Sequence, residues 1–305
     1  MMRVWVGLLL VGLGGMVFGA EWPVVEGAPE SCRRPESAKG DVVLPHVIRK
    51  VPLGDVAYLA KGGGLPDTFV RFSPDGRLAA IGTFQGRMMV LEVYTDKTLW
   101  DRKIAEGIVK QIDFSPDGRQ VYFGEQSVDG FVYAAQTRSG KTLWRRRLAD
   151  DIQTSAPPPK DSLYGMYQLP ACFRLKTLAD GDVVVLGLHC WGDHTRFESM
   201  TRWCRVYRFS PEGELRWAFP EEAAMPLGLI HIDVDAAGRR VAVLAASAAG
   251  NTPEDFAYKP GSIYVLDGRT GALVGAFSLE YPVTSCFLAE GGEAVIAGDD
   301  RGNHR

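Results

Sequence analysis

The chain has 305 residues, of which 46% are hydrophobic and 23% are charged, so it can bury a core of ordinary globular size. Its formal net charge of −3 argues against a general nucleic-acid binder, because such a protein needs a basic surface to displace counterions. Five cysteines are few for a scaffold built from disulfides, so the hydrophobic core must carry the fold.

The first twenty residues have the pattern of a secretory signal peptide. Arg3 gives a positive start, Val4–Phe18 is an apolar run broken only by glycines, and Ala20 is a small residue suited to cleavage before Glu21. The run is short for a membrane span, although an uncleaved anchor helix is the alternative. We expect an exported protein, periplasmic or extracellular, that is not integral to the membrane once residues 1–20 are removed. Residues 21–41 are expected to be irregular, and residues 42–305 to form the folded domain.

A turn motif then repeats along the chain. Phe72-Ser73-Pro74-Asp75-Gly76-Arg77 recurs as Phe114-Ser115-Pro116-Asp117-Gly118-Arg119, and looser copies occupy residues 234–239 and 288–293. Asp-Gly favours a tight turn because glycine reaches positive φ without steric cost. The apolar flanks, such as Thr68–Phe72 and Leu78–Gly82, therefore predict paired strands.

A second element follows each of these hairpins. Its best copy is Tyr133–Trp144, Tyr264–Leu273 matches it closely, and Met89–Trp100 and Val206–Trp217 are variants. The element resembles the quinoprotein-like repeat, and the hairpin before it is similar to that of WD-type repeats. The resemblance implies an all-β fold, a β-propeller of four-stranded antiparallel blades. It also implies that the tryptophan closing each element docks between neighbouring blades.

The repeats divide the domain into blades whose strands are labelled a to d outward from the axis. A fifth, partial blade begins at Pro282 and has sequence for strands a and b only. Either Val42–Leu53 supplies the missing outer strand and closes a ring, or the chain is truncated relative to a longer parent with more blades. The four complete blades are predicted at Pro66–Ile104, Ile108–Leu148, Leu169–Phe219 and Leu227–Leu279.

Three long insertions fall on one face of the predicted disc. Arg145–Gln168 joins strand d to the next strand a, whereas His189–Trp203 and Ala246–Gly261 join strands b and c. The a–b and c–d turns of the other face are uniformly short. Loops on a rigid scaffold commonly carry function, although surface loops also drift in length with little cost. The candidate binding residues on this face are Tyr164, Tyr167, Trp191, Asp193, His194, Arg196, Glu254 and Tyr258.

The second insertion combines histidines with acids, which raises the question of a metal. It contains His189, Asp193, His194 and Glu198, but no close-spaced ligand motif. An aromatic, mixed-polar loop at the mouth of the central cavity fits these residues better. We expect no bound metal and no cofactor.

The cysteines divide into two groups. Cys190 and Cys204 flank a loop centred near Phe197, so a disulfide between facing strands is one expectation in an oxidising compartment. Cys172 and Cys286 occupy equivalent strand-a positions and are expected to be small core residues.

The residue types on the loop face favour recognition over turnover. Tyrosine, tryptophan and arginine dominate binding hot spots. We therefore expect a non-catalytic module that binds a protein, peptide or small ligand. The alternative is a propeller enzyme, either a quinoprotein dehydrogenase or a lyase or hydrolase with a histidine as general acid–base group. The chain lacks a haem-attaching Cys-x-x-Cys-His motif and a vicinal cysteine pair, and it has too few blades for the dehydrogenase class.

Overall fold

The computed structural model describes residues 69–152, 168–192, 199–278, 283–289 and 291–299, apart from Asp96 and Ala236. These residues belong to one compact unit. They form eighteen strands and one short helix, α1 (Ala149–Ile152). The strands are β1 (Phe69–Phe72), β2 (Leu78–Gly82), β3 (Arg87–Glu92), β4 (Thr98–Lys103), β5 (Ile108–Phe114), β6 (Gln120–Gln126), β7 (Phe131–Gln136), β8 (Thr142–Arg147), β9 (Ala171–Thr177), β10 (Val183–Trp191), β11 (Thr201–Phe209), β12 (Leu215–Phe219), β13 (Leu227–Val234), β14 (Arg240–Ala248), β15 (Ser262–Asp267), β16 (Leu273–Ser278), β17 (Val283–Leu288) and β18 (Val295–Asp299).

The strands pair antiparallel with their sequence neighbours to form the expected four-stranded sheets. The first sheet is β1–β4, the second β5–β8, the third β9–β12 and the fourth β13–β16, followed by the hairpin β17–β18. A single residue pair, Gln126 with Ala171, joins the second sheet to the third. The predicted closing segment, Val42–Leu53, lies outside the described residues, so ring closure stays a prediction.

The repeated motif forms the predicted a–b turn. In the first sheet Ser73 Oγ donates to Asp75 Oδ1 at 2.7 Å, and the Arg77 amide donates to the same oxygen at 3.0 Å. Ser115, Asp117 and Arg119 repeat both bonds in the second sheet at the same distances. A turn of the third sheet that sequence reasoning overlooked is Leu178-Ala179-Asp180-Gly181-Asp182, where Gly181 has φ +88°. The Asp180-Gly181 pair could have identified this turn from the sequence.

Apolar side chains fill the space between successive sheets. One cluster joins the first and second sheets, one the second and third, and the largest the third and fourth. A smaller cluster joins the fourth sheet to the β17–β18 hairpin and includes Cys286. Cys172 lies in the cluster between the second and third sheets, and both cysteines are fully buried. The prediction that they are core residues is confirmed.

The repeat tryptophans connect sheet to sheet, as the resemblance implied. Each lies on the outermost strand of its sheet and donates its indole N–H to a carbonyl oxygen of the next sheet. Trp100 donates to Thr137 at 2.7 Å, Trp144 to Pro211 at 2.8 Å and Trp217 to Gly268 at 2.8 Å. Trp100 and Trp217 are buried, whereas Trp144 is partly exposed. The predicted docking is therefore confirmed for all three tryptophans, and the predicted burial is confirmed for two of them.

Candidate functional site

The described part of the loop-rich face comprises α1, the facing ends of β10 and β11 with residues 192, 199 and 200, and residues 249–261 between β14 and β15. Three of the predicted contact residues belong to the described part of this face: Trp191, Glu254 and Tyr258. The other five lie outside the described residues: Tyr164, Tyr167, Asp193, His194 and Arg196.

The strands run further into this face than predicted, so its loops are shorter. Trp191 is the last residue of β10, opposite Thr201 of β11, and not part of a loop. The β10–β11 register runs without a shift from Val183 opposite Phe209 to Trp191 opposite Thr201. Trp191 is thus held by a sheet, and its ring centroid lies 4.2 Å from that of His189.

His189 is a structural residue. It has no exposed surface, and its ring nitrogens lie 3.2 Å from the carbonyl oxygen of Ile152 and 3.1 Å from that of Gln168. Burial lowers the pKa of His189 to about 4, while the two carbonyl contacts act in the opposite direction. The imidazole is therefore neutral at pH 7, so it carries one N–H and donates to only one of the two carbonyls, and its ring packs against that of Trp191. Its burial and its two partners remove it from the predicted metal and acid–base candidates.

The two b–c loops of this face are tied to each other. The Gly250 amide donates to the Met200 carbonyl at 2.8 Å, and the Arg202 amide donates to Asn251 Oδ1 at 3.0 Å. The Arg202 guanidinium donates to the Ala248 carbonyl at 2.7 Å, although only 3% of this residue is exposed. Buried charge bonded to backbone fixes the position of a loop, because breaking such bonds leaves the charge unsatisfied.

The start of the d–a loop is held in the same way. Arg205 of β11 lies 3.1 Å from Asp151 of α1, and its guanidinium also donates to the Pro220 carbonyl at 3.0 Å and to the Glu221 carbonyl. Since β11 also carries Arg202, one strand anchors the bases of all three loops. The sequence analysis selected loop residues and missed these two arginines. They could have been noticed because they are two cations on a strand whose other residues are mostly typical of a core.

Tyr258 contributes to packing as well as to the surface. Its ring packs edge-on against Phe219 at 5.3 Å and against Tyr264 at 5.2 Å. Glu254, in contrast, is exposed on the same loop. The loop therefore combines a partly buried aromatic side chain with an exposed acidic one.

The expected cysteine pairing is wrong. The β10–β11 register places Cys190 opposite Arg202 and Cys204 opposite Leu188, so the two cysteines are two positions out of alignment. Both are free, as are Cys172 and Cys286. The Cys190 sulfur lies 3.9 Å from the Met200 sulfur. Burial raises the pKa of the Cys204 thiol to about 12, which leaves it protonated and unreactive.

Two further observations concern what the described residues could hold. They contain no group of three or more histidine, cysteine, aspartate or glutamate residues placed to bind a metal ion. A cleft of about 570 Å³ opens on the opposite, short-turn face, between the a–b turns of the first and second sheets. Its walls include Pro74, Asp75, Asp117, Arg119 and Leu143.

The apolar run Val4–Phe18 lies outside the described residues. Within the described ranges, no helix has the length and hydrophobicity needed to cross a membrane.

Together the sheets, the turns and the tryptophan contacts define a β-propeller. No family model and no curated protein matches the chain. Among solved structures, the Dos1 propeller superposes with a TM-score of 0.50 at 10% identity, over 75% of this chain and 52% of that one. Kuenenia stuttgartiensis hydrazine synthase gives 0.49 at 13% identity, over 77% and 69%. A chain of the mitotic checkpoint complex gives 0.48 at 12%, over 76% and 58%. The chain thus spans about half the length of the Dos1 propeller, and the likeness concerns the fold alone.

Proposed function

We propose that this chain is an exported, non-catalytic β-propeller that binds a protein or peptide partner on its loop-rich face, over the third and fourth sheets. The observation that carries the proposal is the anchoring of that face. Arg202 and Arg205 hold the bases of two of its loops to β11, the strand at which the third loop ends. Loops held in this way present a preorganised surface, which lowers the entropic cost of binding.

The chemistry of the face supports recognition. Trp191 and Tyr258 combine apolar area with a polar group, as binding hot spots do. His189, the described histidine of this face, is buried and neutral at pH 7, so it supplies no proton-transfer group there. Export rests on the pattern of residues 1–20 alone. Cleavage is tested by the intact mass of the protein recovered from the envelope after expression with its own leader.

Site-specific crosslinking tests which face binds. Benzoylphenylalanine replaces Glu254 on the loop-rich face in one sample and Arg119 on the short-turn face in the other. Both side chains are exposed, so neither change should affect folding. After irradiation in an envelope extract, a discrete adduct from position 254, and none from position 119, is the expected result. Mass spectrometry identifies the partner.

A second variant tests the contribution of the aromatic base. Trp191→Ala should abolish the adduct formed from position 254, and the melting temperature should confirm that the protein remains folded. Because Arg119 borders the cleft of the short-turn face, an adduct from position 119 alone would assign binding to that cleft and contradict the proposal.

A further inference from the structure

The outer strands of the four sheets share one irregularity that makes their positions comparable. In each sheet the pairing of the outer strand skips one residue, and the next residue of that strand is paired again. This next residue is Trp100 in β4, Trp144 in β8, Trp217 in β12 and Gly275 in β16. The fourth sheet therefore has a glycine where the first three have the docking tryptophan.

Gly275 leaves open space on the surface of the fourth sheet. A Cβ at this position would meet nothing within 4 Å, whereas Trp217 at the equivalent position of the third sheet is buried. A glycine inside a strand weakens the strand and often marks a place where another backbone approaches closely. The surface of β16 therefore has room for another chain.

The outer strands of the first three sheets carry features that discourage pairing with another chain. β4 ends in Arg102 and Lys103, β8 ends in Arg145–Arg147, and Pro220 follows directly after the last residue of β12. Charged residues and proline at an edge strand prevent it from pairing with another edge. The sequence of β16, Leu273–Ser278, contains neither a charged residue nor a proline.

The side chains of β16 are also accessible. All six of its residues are exposed, and Val274 and Phe277 leave 55% and 37% of their surfaces in contact with solvent. Phe219, two residues after the tryptophan of the third sheet, is buried, whereas Phe277, two residues after Gly275, is not. Among the described residues β16 pairs only with β15, so its other edge presents unpaired backbone groups. An exposed, apolar and uncharged edge of this kind is a pairing site for a further strand.

A second copy of this chain fits the free edge of β16, because the edge is complementary to itself. Two copies related by a two-fold axis pair antiparallel, and each residue meets the same partner in both directions. Pairing about Ala276 places Gly275 of each copy opposite Phe277 of the other. An aromatic side chain opposite an edge glycine covers the backbone that the glycine leaves open.

The absence of charge on β16 favours this pairing of a strand with its own copy. The same pairing about the equivalent residue of β8 would place Arg145 of one copy opposite Arg145 of the other. Like charges directly opposite each other are destabilising, whereas pairing about Ala276 opposes only uncharged side chains. Self-association is therefore open to β16 and closed to β8.

We propose that two copies of this chain associate through β16, which pairs antiparallel with its own copy about Ala276 and joins the two fourth sheets edge to edge. The paired segment is short, so the interface belongs to the small end of specific interfaces. Dissociation of the dimer should therefore be measurable at micromolar concentration. The contact is an outer strand and is separate from the loops of the loop-rich face.

The oligomeric state of the purified protein tests the proposal. Sedimentation equilibrium of the unmodified protein across the micromolar range should show a monomer–dimer equilibrium. Ala276→Lys places two ammonium groups opposite each other on the two-fold axis and should raise the dimer dissociation constant at least about tenfold. Ala276→Glu should do the same with two carboxylates. Since Ala276 is exposed, both variants should keep the melting temperature of the unmodified monomer.

A mixture of the two variants provides the decisive comparison. In an equimolar mixture of Ala276→Lys and Ala276→Glu, a lysine of one copy meets a glutamate of the other, so the affinity should return to that of the unmodified protein or exceed it. The matched control is Leu143→Lys, which adds the same charge to an exposed residue of the outer strand β8. It should leave the dimer dissociation constant unchanged.

Recovery of the dimer in the mixture, with an unchanged Leu143→Lys, supports the proposal. A protein that is monomeric at every concentration overturns it. A dimer that both Ala276 variants leave intact, or that Leu143→Lys also removes, overturns it as well, because the interface is then not specific to β16. If each variant loses the dimer and the mixture does not restore it, the strands do not pair about Ala276 and the proposal is wrong.

Discussion

Gly271→Ala separates two reasons for a glycine in the turn between β15 and β16. Gly271 has φ +73°, and a Cβ there would lie 2.8 Å from the Trp217 indole. Gly76, in the first a–b turn, has φ +69°, but a Cβ there would meet nothing within 4 Å. Both positions would therefore strain the backbone of an alanine, but only at Gly271 would its side chain also collide with a tryptophan.

The expected magnitudes follow from this difference. Gly76→Ala should cost about 1–2 kcal/mol, the penalty of a left-handed backbone for an ordinary residue. Gly271→Ala should cost about 1–3 kcal/mol more than Gly76→Ala, because the indole must move within a packed core. Trp217 is only 7% exposed, so Trp217→Ala alone should cost about 3–5 kcal/mol. Urea denaturation measures each free energy of unfolding.

The double variant provides the decisive comparison. In the Trp217→Ala background no indole remains, so Gly271→Ala should cost no more than Gly76→Ala does. The coupling between positions 217 and 271 should then be at least about 1 kcal/mol. Equal costs for the two glycine variants in the unmodified protein would refute the idea that tryptophan docking selects the glycine.

Two further variants test buried charge. The pKa of His189 is about 4 in the folded protein, below its ordinary value of 6.5, so the unfolded chain takes up a proton first as the pH falls. The contribution of the neutral imidazole to the free energy of unfolding should be fully present above pH 6.5 and fall by about 3 kcal/mol as the pH approaches 4. Thermal melts of His189→Gln should show a smaller fall over the same pH range. Arg208→Met should cost about 3–5 kcal/mol in urea denaturation, because Arg208 Nε lies 2.6 Å from the buried carboxylate of Asp182. Arg119→Met, whose side chain is 87% exposed, is its control and should change stability by less than about 1 kcal/mol.

The fold could be predicted because its determinants are local and repeated. Asp75 and Asp117 each organise their own turn through neighbours two residues away, so the motif is visible in any single repeat. The tryptophans were found because each closes a recognisable element at a fixed distance from a turn. Such short-range constraints leave a periodic trace in the sequence.

The candidate site was harder to predict because it depends on register and on contacts between distant segments. Cys190 and Cys204 were expected to face each other, but the strands pair about residue 196 and not 197, and a one-residue change in the loop centre displaces partners by two. Arg202 anchors a loop that begins more than forty positions later, through a bond to Ala248. No feature near Arg202 in the sequence indicates that partner.

Successive sheets are joined by an outer contact and an inner contact, and the two differ at the interface between the third and fourth sheets. At the periphery, a tryptophan joins the third sheet to the fourth as it joins the first to the second. At the axis, an acid on the second and fourth sheets accepts an amide from the following strand. The third sheet has Lys176 at that position, and a lysine cannot accept such a bond. The outer contact is therefore kept between the third and fourth sheets, while the described residues show no inner contact of this kind there, so the tryptophan has the larger share in joining these two sheets.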